Sequence, residues 1–139
     1  EVLDAGTFAV DLVARPVLET TELCVVKSGR DRGKLAACEW AAAYGKALPQ
    51  TPDIAECPVS MCCEIRHRQR LGSHDLFLAE IREVLVDERL MDEAGALHME
   101  RADLVCYAHG TYYGIGEILG FFGYSVASEA ALQRRMPGK

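Results

Sequence analysis

Three groups of residues in this chain have types and spacing suited to chemistry. Gly72, Ser73, His74 and Asp75 lie between two alternating, strand-like runs, which puts His74 at the mouth of a hairpin. Histidine titrates near neutral pH, and at a corner held by rigid strands it can meet a ligand. The bland reading is a turn: glycine, serine and aspartate satisfy it unaided, leaving the histidine solvated or capping. The second group runs from Ser28 and Gly29 through Arg30, Asp31 and Arg32 to Gly33 and Lys34, a helix end followed at once by a helix start. Helix N–H groups beside lysine and arginine make an anion site fit for a phosphate; otherwise this is a surface turn with solvated charges. Its glycine spacing is not that of a Walker loop. The third group, Tyr112 and Tyr113 inside His109-Gly-Thr-Tyr-Tyr-Gly-Ile-Gly116, offers flat faces that can stack on a ring. It equally reads as an aromatic strand with glycine turns.

The elements that must hold these groups follow from periodicity. Residues 7–13 alternate and favour a strand. Pro16 suits the first turn of a helix through Leu23 and Val26, which Gly29 ends. Asp31 caps a second helix over residues 34–44, rich in alanine and stopped by Gly45, with Trp40 in its middle. Residues 48–53 read as an extended loop. The longest strand signal starts after Pro58: Val59, Met61, Cys63, Ile65 and His67 alternate with Ser60, Cys62, Glu64, Arg66 and Arg68. A corner over residues 70–75 turns it into a returning strand over 76–87, a long antiparallel hairpin. Charge parity slips near Glu80 to Glu83, which predicts a bulge. A short strand over 104–108 and a final helix capped by Ser128 complete the chain. The pattern predicts a single domain over residues 1–139, a small mixed barrel with helices on its rim.

With 139 residues, half of them apolar and 26% charged, the composition is that of a soluble globular protein. The net charge of −6, with no basic block, argues against nucleic acid as a partner. No apolar run approaches a membrane span, and no leader is visible at the N-terminus; the expected location is cytoplasmic. Six cysteines are present. The chain is too apolar to need staples, so they read as mostly reduced thiols, and their spacing is not that of a zinc or other metal site. Redox chemistry by Cys62 and Cys63 would need both thiols on one face, whereas neighbours along a strand diverge.

The hairpin with its glycine-polar-histidine step, the 109–116 stretch and the ending Ile118-Leu-Gly-Phe-Phe-Gly-Tyr-Ser-Val126 together resemble the flavin reductase-like, FMN-binding split-barrel family, in its flavoredoxin branch. The resemblance runs from about Phe8 to Val126. It implies a mainly β fold with α, an antiparallel split β-barrel with flanking helices. It also implies an FMN-binding oxidoreductase that passes electrons between NADH, NADPH or another donor and flavin or an acceptor, working as a homodimer. On the same basis His74 borders the place where nicotinamide or another substrate meets the flavin. Ser28, Gly29 and Lys34 lie by the cofactor's phosphate, and Tyr112 and Tyr113 belong to the cofactor-binding set. Members carry further N-terminal strands ahead of the position of Glu1, holding much of the flavin site, so the chain is expected to be a fragment or a truncated relative. The alternative is a split-barrel module that kept the fold without the cofactor and serves dimerisation or ligand binding.

Overall fold

The computed structural model describes residues 2–26 and 38–136. A single turn of helix, α1 (Val2–Ala5), leads into strand β1 (Thr7–Asp11). A 3-10 turn over Arg15–Val17, with Pro16 in its first positions, continues into α2 (Leu18–Val26) as the proline predicts. Strands β2 (Ala42–Tyr44) and β3 (Pro52–Ile54) pair with each other. The long hairpin comprises β4 (Val59–Leu71) and β5 (His74–Val86), and a short ribbon comprises β6 (Val105–Ala108) and β7 (Thr111–Gly114). The chain closes on α3 (Glu129–Arg135), whose N-cap Ser128 accepts from the Ala131 N–H.

The central sheet is antiparallel in the order β1-β4-β5. Alternation along its strands creates two faces. On one, Thr7, Asp11, Ser60, Cys62 and Glu83 look towards the β2–β3 segment. There the Ser60 hydroxyl donates to Asp11 Oδ1 (2.6 Å) and the Thr51 hydroxyl donates to that of Thr7 (2.6 Å). On the other, Val59 packs with Leu90 and Ala102, joined by Leu12, Val86, Met99 and Leu104. This second face is an ordinary apolar core; the first is polar and buried.

The predicted helix over residues 34–44 is corrected from Cys38 onward. Cys38 and Glu39 form a turn, Trp40 lies outside any helix, and Ala42, Ala43 and Tyr44 are β2. The Glu56 carboxylate accepts the Ala41 N–H (3.0 Å), the Ala41 carbonyl accepts from Ala55 N–H (3.0 Å), and Glu39 takes a φ of 57°. These contacts commit the alanine run to pairing with β3, over the helical preference of alanine itself. The predicted loop over 48–53 likewise contains the start of β3 at Pro52, on a short strand where a proline is tolerated.

Candidate functional site

The hairpin tip is a two-residue turn. Gly72 has a φ of +66° and Ser73 keeps an ordinary negative φ, the signs of a type II′ turn with glycine at its first central position. His74 is therefore the first residue of β5, paired with Leu71. Ser73 Oγ lies 2.8 Å from His74 Nδ1, which orients the ring and leaves Nε2 without a hydrogen bond among the described residues. Arg68 pairs with Asp75 at 2.9 Å and ties the strand ends together behind it.

The β6–β7 ribbon turns through His109 and Gly110, both at positive φ (49° and 82°), which matches a type I′ turn. That turn sets Tyr107 opposite Tyr112 and Cys106 opposite Tyr113. The Tyr107 and Tyr112 rings meet at 5.0 Å, tilted by 58°. The Tyr112 phenol donates to Glu22 Oε2 on α2. This bond to a carboxylate, ahead of burial, pushes the phenol above its ordinary pKa. Tyr113, next along the strand, projects from the other face and is exposed.

Arg15, Leu18, Glu19, Glu22 and Tyr112 line a shallow cleft of about 380 Å³. A second hollow of about 390 Å³, between Glu19, Thr20, Glu22, Leu23 and Val26, continues it along α2. Arg15 is fixed by a forked pair with Asp103: Nε to Oδ1 and Oδ2 at 3.1 and 3.0 Å, and Nη2 to Oδ1 at 3.0 Å. The guanidinium hydrogen bond holds the Asp103 carboxyl below its ordinary range. A Cβ at position 114 would lie 2.8 Å from Arg15 Nη2, so Gly114 leaves the room that the fork occupies.

The structure thus brings Tyr112 onto α2. Ser28, Gly29 and Lys34 themselves lie outside the described residues. Among the described residues, no hydrogen bond or ion pair joins the His74 turn to the β6–β7 ribbon. Glu22, Arg15 and Asp103 were not singled out by the sequence, where each is an ordinary surface charge. The Arg-Pro step at the head of α2 was the one local sign that Arg15 begins an element.

Cys62 and Cys63 are both buried, on opposite faces of β4. Desolvation raises both thiols above their ordinary pKa; the nearby carboxylates of Asp53, Glu83 and Asp11 add to it at Cys62 only. Two thiols so separated do not form a vicinal redox pair. Among the described residues no cluster of histidine, cysteine and carboxylate side chains is arranged to hold a metal ion. Nor is any described helix long and apolar enough to cross a membrane.

Comparison with known proteins fits this architecture. The chain belongs to the flavin reductase-like domain family, whose model matches residues 1–116. Its fold is similar to that of the flavoredoxin of Desulfovibrio vulgaris (Miyazaki F), with a TM-score of 0.77 and 24% identity, covering 86% of this chain and 64% of that one. It is also similar to the flavoredoxin of Methanosarcina acetivorans, with a TM-score of 0.79 and 21% identity over 91% and 68% of the two chains. A third likeness is to the FMN-binding domain of a flavin reductase-like enzyme from Shewanella baltica OS155, with a TM-score of 0.65 and 23% identity over 86% and 65%. At these identities the likeness is one of fold, the mainly antiparallel split barrel with flanking helices. The chain spans a little under two thirds of the Desulfovibrio protein's length. No curated protein sequence matches it.

Proposed function

We propose that this chain is the FMN-binding part of an oxidoreductase of flavin reductase or flavoredoxin type. It would pass electrons between NADH, NADPH or another donor and flavin or an acceptor. The observation that carries this reading is the groove along α2, which has Tyr112 at one end and Leu23 and Val26 at the other.

The groove suits one half of FMN and not the other. Leu18, Leu23, Val26 and the Tyr112 ring offer apolar surface to a flat heterocycle. Glu19 and Glu22 line both hollows and repel a phosphate within the groove. Ser28, Gly29 and Lys34, assigned to the phosphate by the family resemblance, would supply polar donors and charge for it. Tyr113 faces away from this groove on the other side of the ribbon, and its place in the cofactor set rests on the family resemblance alone. FMN, when bound, supplies the electron transfer, and the protein supplies binding and orientation. His74, with Nδ1 engaged by Ser73, offers Nε2 as a donor or acceptor to align an incoming nicotinamide. A second copy of the chain is the natural partner, because β5 presents Leu76, Leu78, Ile81 and Val84 to solvent.

The test is a visible spectrum of the purified protein before and after adding FMN, followed by oxidation of NADH and NADPH. Flavin absorbance and turnover are expected. In His74→Ala, turnover should fall roughly tenfold while FMN affinity stays unchanged, the signature of lost orientation rather than lost binding. No flavin bound at any FMN concentration would overturn the reading and favour the cofactor-free module.

A further inference from the structure

We propose that Cys24 and Cys38 are a redox-active dithiol that closes to a disulfide by exchange with a small-molecule disulfide of the glutathione type. Their Sγ atoms lie 2.9 Å apart, within roughly 0.9 Å of the ~2.05 Å of a formed bond. Two different constraints bring them together. Cys24 is carried by the last turns of α2. Cys38 sits three positions before Ala41, whose N–H and carbonyl are clamped by Glu56 and Ala55. Both thiols are half-buried, so a small oxidant can reach them.

The other cysteines are not placed for this chemistry. Cys62 and Cys63 are buried. Burial, with help from Asp11, pushes the Cys57 thiol up to about 11, which suppresses the thiolate that attacks disulfides. Cys106 is exposed on β6, with no thiol contact among the described residues.

The step balances without a metal or flavin. One cysteine thiolate attacks a sulfur of the oxidant, the oxidant's S–S bond breaks, and one small thiol leaves. The second cysteine attacks the resulting mixed disulfide and expels the second small thiol. The protein loses two hydrogen atoms and two electrons remain on the released thiols. The Cys24–Cys38 bond closes a ring through residues 25–37.

The inference is independent of flavin binding and is tested on the whole protein. The chain is reduced, equilibrated with oxidised glutathione, alkylated and weighed intact, then digested with trypsin. The expected result is a protein that escapes alkylation at Cys24 and Cys38, its mass two hydrogen atoms below that of the reduced chain once the alkyl groups on the other thiols are subtracted, with the Cys24 and Cys38 peptides linked and both thiols recovered on reduction. Cys38→Ser should stop halfway and retain one glutathione on Cys24; Cys24→Ser should retain one on Cys38. Full alkylation of both residues in the wild type, stable glutathione adducts on both, or a link between any other pair would overturn the proposal.

Discussion

Glu64 and Glu80 stand directly opposite each other across β4 and β5. Like charges so placed destabilise a sheet. The hairpin resolves the conflict with its two register irregularities. Pairing steps from Cys62↔Glu83 to Cys63↔Ile81, leaving out Arg82, and from Ile65↔Ala79 to His67↔Leu78, leaving out Arg66. Both extra residues are arginines that reach back to the two carboxylates. Arg66 pairs with Glu64 (3.1 Å) and with Glu80; Arg82 pairs with Glu80 (3.1 Å) and more loosely with Glu64 (3.7 Å). A bulge re-aims a side chain, and here it places cations where a regular ladder would have left two facing anions.

A change of sign with pH follows. The Arg66 hydrogen bond, first among several causes, holds the Glu80 carboxyl below its ordinary range. That stabilisation is present above the unfolded-state glutamate pKa and is lost as pH falls through the lower folded value. In an Arg66→Ala, Arg82→Ala double variant the facing carboxylates repel, and the folded pKa of Glu80 should rise above its unfolded one. Stability should then increase as pH falls through the carboxylate range, the opposite of the wild-type contribution. Urea unfolding midpoints across that range, compared between the two proteins, measure it. Parallel pH profiles would show that the bulge arginines do not serve the glutamate pair.

The Tyr112–Glu22 bond makes a separate prediction. Since the carboxylate raises the phenol's pKa, the contact stabilises the fold below the ordinary tyrosine range and is lost as pH rises through the folded value. Glu22→Gln removes the charge and should let Tyr112 ionise at lower pH. In Tyr112→Phe this late-ionising phenol disappears from the ultraviolet titration. If the groove on α2 is the flavin site, both variants should weaken FMN binding by roughly tenfold, about 1.4 kcal/mol, by freeing α2 from the ribbon. An unchanged FMN affinity would place the ring elsewhere.

Gly45 tests the polar face of the sheet. A Cβ there would fall 2.1 Å from Glu83 Oε2, the atom that accepts the Ala47 N–H at 3.0 Å. Gly45→Ala must therefore expel the carboxylate and lose that bond, at a cost of about 1 kcal/mol. With Glu83→Ala already in place the same substitution meets no carboxylate. It should then be neutral or stabilise by about 0.5 kcal/mol through the stiffer unfolded chain. Equal effects in the two backgrounds, read from denaturant midpoints, would mean that Glu83 is not what the glycine accommodates.

Much of this was legible in the sequence, for reasons that differ by element. The β4–β5 hairpin declares itself through thirteen-residue strands of clear alternation. Its bulge at Arg82 showed as a slip in charge parity. The divergence of Cys62 and Cys63 follows from the strand period alone. The 38–44 stretch was misread because local alanine preference was outweighed by a pairing partner at residues 52–54, which no local rule anticipates. The Tyr112–Glu22 bond spans ninety positions, and the Arg15–Asp103 fork spans eighty-eight. Such contacts exist only once the ribbon has docked on α2. Family resemblance named Tyr112, but the fold supplied the reason it sits by the helix.

The free edge of β5 carries the last prediction. In the order β1-β4-β5 this long strand is terminal among the described residues, so its outward backbone groups can still pair. Leu76 and Leu78 share a face near its start, and each is about half exposed, at 47% and 58%. An exposed apolar row beside an open edge is a surface that association covers. If two copies meet there, Leu78→Lys should place a charge at the contact and dissociate the dimer. The effect expected is at least roughly a hundredfold weakening, about 2.7 kcal/mol. The hairpin itself should stay intact, because Leu78 pairs with the exposed His67 and not with a core residue. Sedimentation velocity across a range of protein concentrations reads the oligomeric state directly, and far-ultraviolet circular dichroism checks the hairpin. A wild-type protein that sediments as a monomer at every concentration would remove the homodimer. A variant that remains dimeric would move the interface away from this face of β5.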